Sequence, residues 1–117
     1  MTSFRTTVVA ILVVLSGTLA YANVRGDARA QVEFGIKAAQ DGLWREAIFR
    51  WEKAVDLDPT YAAAYNDLAI GYEHEGHPDK ARQAYQKALN LDSSNDVIRQ
   101  NYEMFKEIND RASRRQP

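Results

Sequence analysis

The chain contains no cysteine. That excludes disulfide staples, thiolate nucleophiles and cysteine-based zinc sites. Histidine is scarce, with two residues, His74 and His77. They stand three apart, straddle a Gly-Pro turn and have no third ligand nearby in sequence, so they read as turn residues and not as metal ligands. An excess of one charge is also missing: 15 basic residues face 16 acidic ones. A near-neutral chain has no basic stripe to hold a phosphate backbone, so no nucleic-acid partner is expected. There is no Gly-rich phosphate loop, no serine in a nucleophile elbow and no paired acid in a recognisable frame. No catalytic residue and no cofactor is expected. Charges such as Arg45, Glu46, Asp79 and Lys80 read as solvated helix faces.

Long apolar runs are missing too, except at the start. Met1 to Thr7 is polar and carries Arg5, Val8 to Leu15 is unbroken and apolar, and Ala20-Tyr21-Ala22 follows. A positive start, an apolar centre and a small-residue end describe a secretory signal, which places a cut after Ala22. The alternative is an uncleaved membrane anchor over residues 6–22, close to the lower length limit for a spanning helix. No Cys follows the run to carry the lipid of a bacterial lipoprotein. Either reading puts the rest of the chain across a membrane, in the periplasm or secreted. Membrane contact is expected only through this segment, if it stays uncleaved.

What the rest of the chain has is a repeat. Residues 42–59 read GLWREAIFRWEKAVDLDP, and residues 76–93 read GHPDKARQAYQKALNLDS. At a spacing of 34, Gly42 matches Gly76, Ala47 matches Ala81, Trp51 matches Tyr85, Ala54 matches Ala88 and Asp58 matches Asp92. A fixed period with matched residue sizes signals stacked supersecondary units. Residues 23–27 form a short polar lead-in, with Asp27 available to cap a helix beginning near Ala28. Val32, Phe34, Ile36, Ala38 and Ala39 continue that helix at helical spacing. Asp41-Gly42 stops it, because glycine reaches turn conformations that other residues adopt at a cost. A second helix from about Leu43 to Leu57 carries Trp44, Ala47, Ile48, Trp51, Ala54 and Val55 on one stripe. Asp58-Pro59 ends it, since the residue before proline is pushed out of helical geometry.

The second unit repeats the scheme. Ala64, Tyr65, Leu68, Ala69 and Tyr72 form the stripe of a third helix, and Pro78 opens a fourth, at a position that tolerates the missing N–H. Ala81, Tyr85, Ala88 and Leu89 make the buried face of that fourth helix. A fifth helix from about Asp96 to Ala112 sets Ile98, Tyr102, Phe105 and Ile108 against a polar outer face, as suits the end of a stack. Residues 113–117 form a short basic tail.

Two units of this length resemble the tetratricopeptide repeat. The residues that carry the resemblance are Phe34, Gly35, Ala47, Trp51, Ala54 and Pro59 in the first unit. In the second they are Tyr65, Leu68, Ala69, Tyr72, Ala81, Tyr85 and Ala88. The sequence departs from the family where Gln31 and Ala38 take bulky positions and where Ser93 replaces the closing proline. The resemblance implies an all-α fold of antiparallel helix–turn–helix repeats, an α-solenoid with units at 28–61 and 62–95 and a capping helix at 96–112. It also implies a protein partner held on a concave surface lined by the first helix of each unit. Carried over by position, that lining is Val32, Ile36, Ala39 and Gln40, then Asn66, Ile70, Glu73 and His74, then Gln100 and Met104. Val32, Ile36 and Ile70 serve equally as core, because apolar periodicity does not separate core from groove.

One specialised form of the family grips a terminal carboxylate with Lys, Asn and Arg. The equivalent positions here include Val32, Ile36, Asp67, Val97 and Asn101, without a cation, so that mode is not expected. Phe49 stands apart, facing away from its own helix's stripe where the second unit has Gln83. The function expected is non-catalytic protein binding in the cell envelope or secreted space. The alternative is a scaffold that self-associates, as a homo-oligomer, through the unpaired face of the first helix. Two repeats are few, and self-association is one way to supply missing cover.

Overall fold

The computed structural model describes the backbone of residues 2–117 and the side chains of residues 20–117. Five helices follow in order: α1 (Thr2–Gln40), α2 (Trp44–Leu57), α3 (Ala62–His74), α4 (Pro78–Leu91) and α5 (Asp96–Arg114). The expected leader falls largely on side chains outside the described set. Among the described residues, no helix is long and apolar enough to cross a membrane.

The two turns inside the units are alike. Gly42 and Gly76 have φ of 77° and 75°. Leu43 N donates to Ala38 O at 2.8 Å and Gly42 N to Ala39 O at 3.0 Å, while His77 N donates to Tyr72 O at 2.8 Å and Gly76 N to Glu73 O at 3.1 Å. This 6→1 and 5→2 pairing satisfies the last carbonyls of α1 and α3, and the left-handed residue it needs is glycine. Leu43 is therefore a cap and not the first helical residue, and it is exposed.

The turn between units rests on Asp58, which is buried. Its Oδ1 accepts from Thr60 N at 3.0 Å and from Thr60 Oγ1 at 2.6 Å. Its Oδ2 accepts from the Arg25 guanidinium. Burial disfavours the charged Asp58, but the Thr60 donors and Arg25 outweigh it and hold the carboxyl below its ordinary range. Arg25 also donates to Thr60 Oγ1 at 3.1 Å and lies 4.7 Å from the centre of the Tyr61 ring. Here the expectation for residues 23–27 is corrected. The lead-in is helical, Asp27 caps nothing, and α1 runs through it, carrying Arg25 to a partner 33 residues away.

The equivalent turn after α4 lacks proline and is held by side chains. Asn95 Nδ2 donates to Asp92 Oδ2 at 3.0 Å, and Asn95 Oδ1 accepts from Val97 N and Ile98 N at 3.1 and 3.2 Å. Arg99 reaches back to Ser93 O at 2.7 Å. The helix that follows extends to Arg114, two residues beyond its expected end, which shortens the tail.

Small residues set the spacing. Ala47, Ala54, Ala64, Ala69, Ala81 and Ala88 are fully buried. Close approach of backbones excludes water along each seam, and the aromatic residues fill what is left. Trp51, 3% exposed, lies between the units. Its Nε1 donates to Val32 O at 3.2 Å. A Cβ built on Gly35 would come within 2.3 Å of Trp51 Nε1, and one built on Gly71 within 3.0 Å of Trp51 Cζ3. The indole is thus clasped by two glycines. One period later the joint is made differently. Tyr85 packs against Phe105 and Tyr102, with ring centres 5.6 and 5.5 Å apart. Trp51 meets Gly71, and the smaller Tyr85 meets the larger Phe105.

Candidate partner-binding face

Among the described residues, α1 touches α3 and α3 touches α5, whereas α2 and α4 make no contact with each other. The odd-numbered helices therefore close up into an inner layer while the even-numbered ones splay outward. That difference curves the stack and makes the inner layer the concave one.

The residues expected on this face divide into three sets. Ile36, Gln40, His74, Gln100 and Met104 are exposed, and Ala39, Ile70 and Glu73 are half-buried. Val32 and Asn66 are buried and are corrected from lining to interior. Val32 belongs to the core around Trp51. Asn66 is a structural link, since Asn101 Nδ2 of α5 donates to its Oδ1 at 3.1 Å. Ile36, Ile70 and Met104 occupy the same place in successive inner helices at 34-residue steps. Ile36 is 41% and Met104 61% exposed, and Ile70 leans partly on the core around Tyr85. Gln100 lies with Arg99, Glu103 and Glu107 on the polar side of α5. Glu73 accepts from the Tyr85 hydroxyl. It also borders a depression of about 200 Å³ shared with Pro78, Phe105, Ile108 and Asn109.

His74 stacks on Trp44 with ring centres 3.5 Å apart, and His77 meets Tyr72 edge-on at 6.5 Å. The two imidazoles are held by different aromatic partners. Trp44 is half-buried and packs against the core around Trp51 as well as on His74.

Asp67 belongs to this face although it was absent from the expected binding set. Ala63, Asp67, Ile70 and His74 follow one another at helical spacing along α3. Asn66 Nδ2 lies 3.5 Å from Asp67 Oδ1, so Asn101, Asn66 and Asp67 form a chain across the α3–α5 seam. Burial pushes the Asp67 carboxyl up to about 6, against the weak opposing bond from Asn66. A lone Asp on a helix gives no sequence signal of this kind, because the burial comes from a neighbouring helix.

The two ends of the stack differ from its middle. Leu68 is 5% exposed, while Phe34, its counterpart, is 58% exposed. Phe34 keeps its place in the repeat pattern but faces outward. Leu68 is covered by α2, and among the described residues no equivalent helix covers Phe34. Phe49 is also exposed, and Arg50 lies 5.6 Å from the Phe34 ring centre and 5.7 Å from that of Phe49. Exposed Lys37 stands where the second unit has the close-contact Gly71. At the other end, Glu103, Glu107 and Asp110 of α5 give a polar face where a further helix would pack.

Comparison with known proteins agrees with this architecture. Residues 62–95 match the tetratricopeptide repeat. Over 82 residues the chain is 35% identical to the type IV pilus assembly protein PilF of Pseudomonas aeruginosa, covering 69% of this chain and 32% of that one. The solved structure of Pseudomonas aeruginosa PilF matches with a TM-score of 0.69 and 34% identity, over 74% of this chain and 40% of that chain. The TPR domain of Arabidopsis OM64 shares the fold, with a TM-score of 0.70 at 20% identity, over 75% of this chain and 73% of that one. The chain spans about a third or less of the length of the curated relatives it matches. The fold is generally one of non-catalytic protein–protein interaction. The matched unit, its counterpart one period earlier and the shared architecture make this chain a member of the tetratricopeptide repeat family.

Proposed function

We propose that this chain is a non-catalytic binding module of the cell envelope or secreted space that buries a segment of a partner protein on its concave face. The line of Ile36, Ile70 and Met104, exposed at Ile36 and Met104 and half-buried at Ile70, carries the reading. Three apolar side chains on adjacent inner helices suit an extended peptide or the apolar face of a helix, and exposed apolar surface of this kind commonly marks an interaction site. The leader pattern at residues 1–22 supports an exported setting. So does likeness to part of a protein named for type IV pilus assembly. The test is capture of partners from the periplasmic or secreted fraction by wild type and by Ile36→Glu and Ile70→Glu. The variants are expected to lose the captured protein while their circular dichroism melts stay cooperative. Unfolding of both would assign these residues to the core. N-terminal sequencing of the exported chain tests the cut after Ala22.

A second reading, self-association, is favoured by exposed Phe34 and Phe49 at the open end. Sedimentation across a range of concentrations tests it, and a persistent monomer would reject it. Lys37 in the place of Gly71 predicts that any such contact does not copy the α2–α3 packing.

A further inference from the structure

Among the described residues, no positive charge answers the Asp67 carboxylate on the concave face. The ion pairs among the described residues engage Arg25, Arg45, Arg50, Arg99, Lys106 and Arg111, and none of these reaches Asp67. Its hydrogen bond is a long one, from the amide of Asn66. That amide belongs to a residue already fixed to α5 by Asn101. Ile70 lies one turn along the same helix. The nearby Glu73 is occupied by the Tyr85 hydroxyl, and His74 by stacking on Trp44. Arg29 and Glu33 of α1 are exposed. A half-buried carboxylate without a counterion is costly, and the cost falls when a cation arrives with its own hydrogen-bond donors.

The geometry points to a partner segment that carries a lysine or arginine flanked by apolar residues, with the cation seated on Asp67 and the apolar neighbours on Ile36, Ile70 and Met104. This rests on the concave face being the binding face. It is opposite in charge to recognition of a terminal carboxylate, and it gives the face a selectivity that apolar contact alone does not supply. Apolar burial holds the segment, and the buried charge pair sets which segment and in what register.

The test is selection from a random twelve-residue peptide library displayed on phage, using immobilised wild type, Asp67→Asn and Ile70→Glu. Wild type is expected to enrich peptides with Lys or Arg between apolar residues. For a synthesised winner, replacing that cation by norleucine is expected to weaken binding roughly tenfold or more. Asp67→Asn is expected to bind both versions alike. Basic enrichment that persists in Asp67→Asn, or wild-type winners without a basic residue, would overturn the inference and leave the groove standing. Equal peptide recovery by Ile70→Glu and wild type, or no enrichment by folded wild type, would remove the concave-face reading itself. Melting curves of all three chains establish that they are folded.

Discussion

Gly35→Ala sets two opposing energies against each other. Gly35 lies within α1, where alanine is favoured over glycine by about 1 kcal/mol. The added Cβ, however, would stand 2.3 Å from Trp51 Nε1, 2.6 Å from Cδ1 and 2.7 Å from Cε2. Contact distance for such atoms is about 3.5–4.0 Å, so the indole has to retreat by about an ångström. Retreat is limited on the far side by the Gly71 backbone, which packs so closely that a Cβ built there would lie 3.0 Å from the same ring. Moving also strains the bond to Val32 O. Overpacking of this kind costs typically about 1–3 kcal/mol, and an orphaned buried N–H adds about 1–3 kcal/mol. The clash wins, and a net loss of about 2–3 kcal/mol is expected. Urea denaturation followed by tryptophan fluorescence measures it, with circular dichroism as a second probe. Gly26→Ala is the control, since Gly26 is also helical but has open space at its Cβ position. It is expected to gain up to about 1 kcal/mol. Equal or greater stability of Gly35→Ala would refute the account of the glycine clasp.

Three further outcomes follow from individual groups. Asp67 has a folded pKa of about 6 against an ordinary 3.8, so the native state holds the proton more tightly. Its contribution to stability is full below the ordinary value and is lost as pH rises through about 6, on the order of 2 kcal/mol after allowance for screening. Asp67→Asn is therefore expected to be the more stable chain at pH 7 and to lose that advantage near pH 4, measured by paired urea melts. Asp58 is depressed instead, so its stabilisation is present above the ordinary carboxylate value and is lost as pH falls through the folded one. Arg25→Met is expected to lower stability at pH 7 and to flatten the acid limb of the melt. Asn95→Ala removes the cap of α5 and is expected to cost about 1 kcal/mol, with hydrogen exchange fastest at Val97 and Ile98.

The residues that could be read in advance are those whose role repeats. Ala47 and Ala81, and Gly42 and Gly76, announce themselves because the same contact is made twice at one spacing, and Trp51 and Tyr85 because an aromatic ring fills each joint. Phe34 shows the limit of the period: it keeps the spacing of Leu68, but among the described residues no helix covers it. Asn66 looks like a polar lining residue, yet its amide is consumed by Asn101, 35 residues on. The helical course of residues 23–27 sets Arg25 against Asp58, a pairing that no local pattern carries. The repeat position of Asp67 is legible in sequence, but its burial is not, because its environment is assembled by helices it does not belong to.

The two joints of the stack are keyed to each other. Trp51 needs the empty side of Gly71, and Tyr85 needs the ring of Phe105. Duplicating residues 62–95 in place would set the new copy's glycine against Tyr85 and open a hollow the size of a ring, at a cost of roughly 2–5 kcal/mol. Exchanging the two units would drive an indole into Phe105. The units are alike in outline but are not interchangeable parts. Their order is written in aromatic size, and a longer array built from this chain has to change both members of a joint at once.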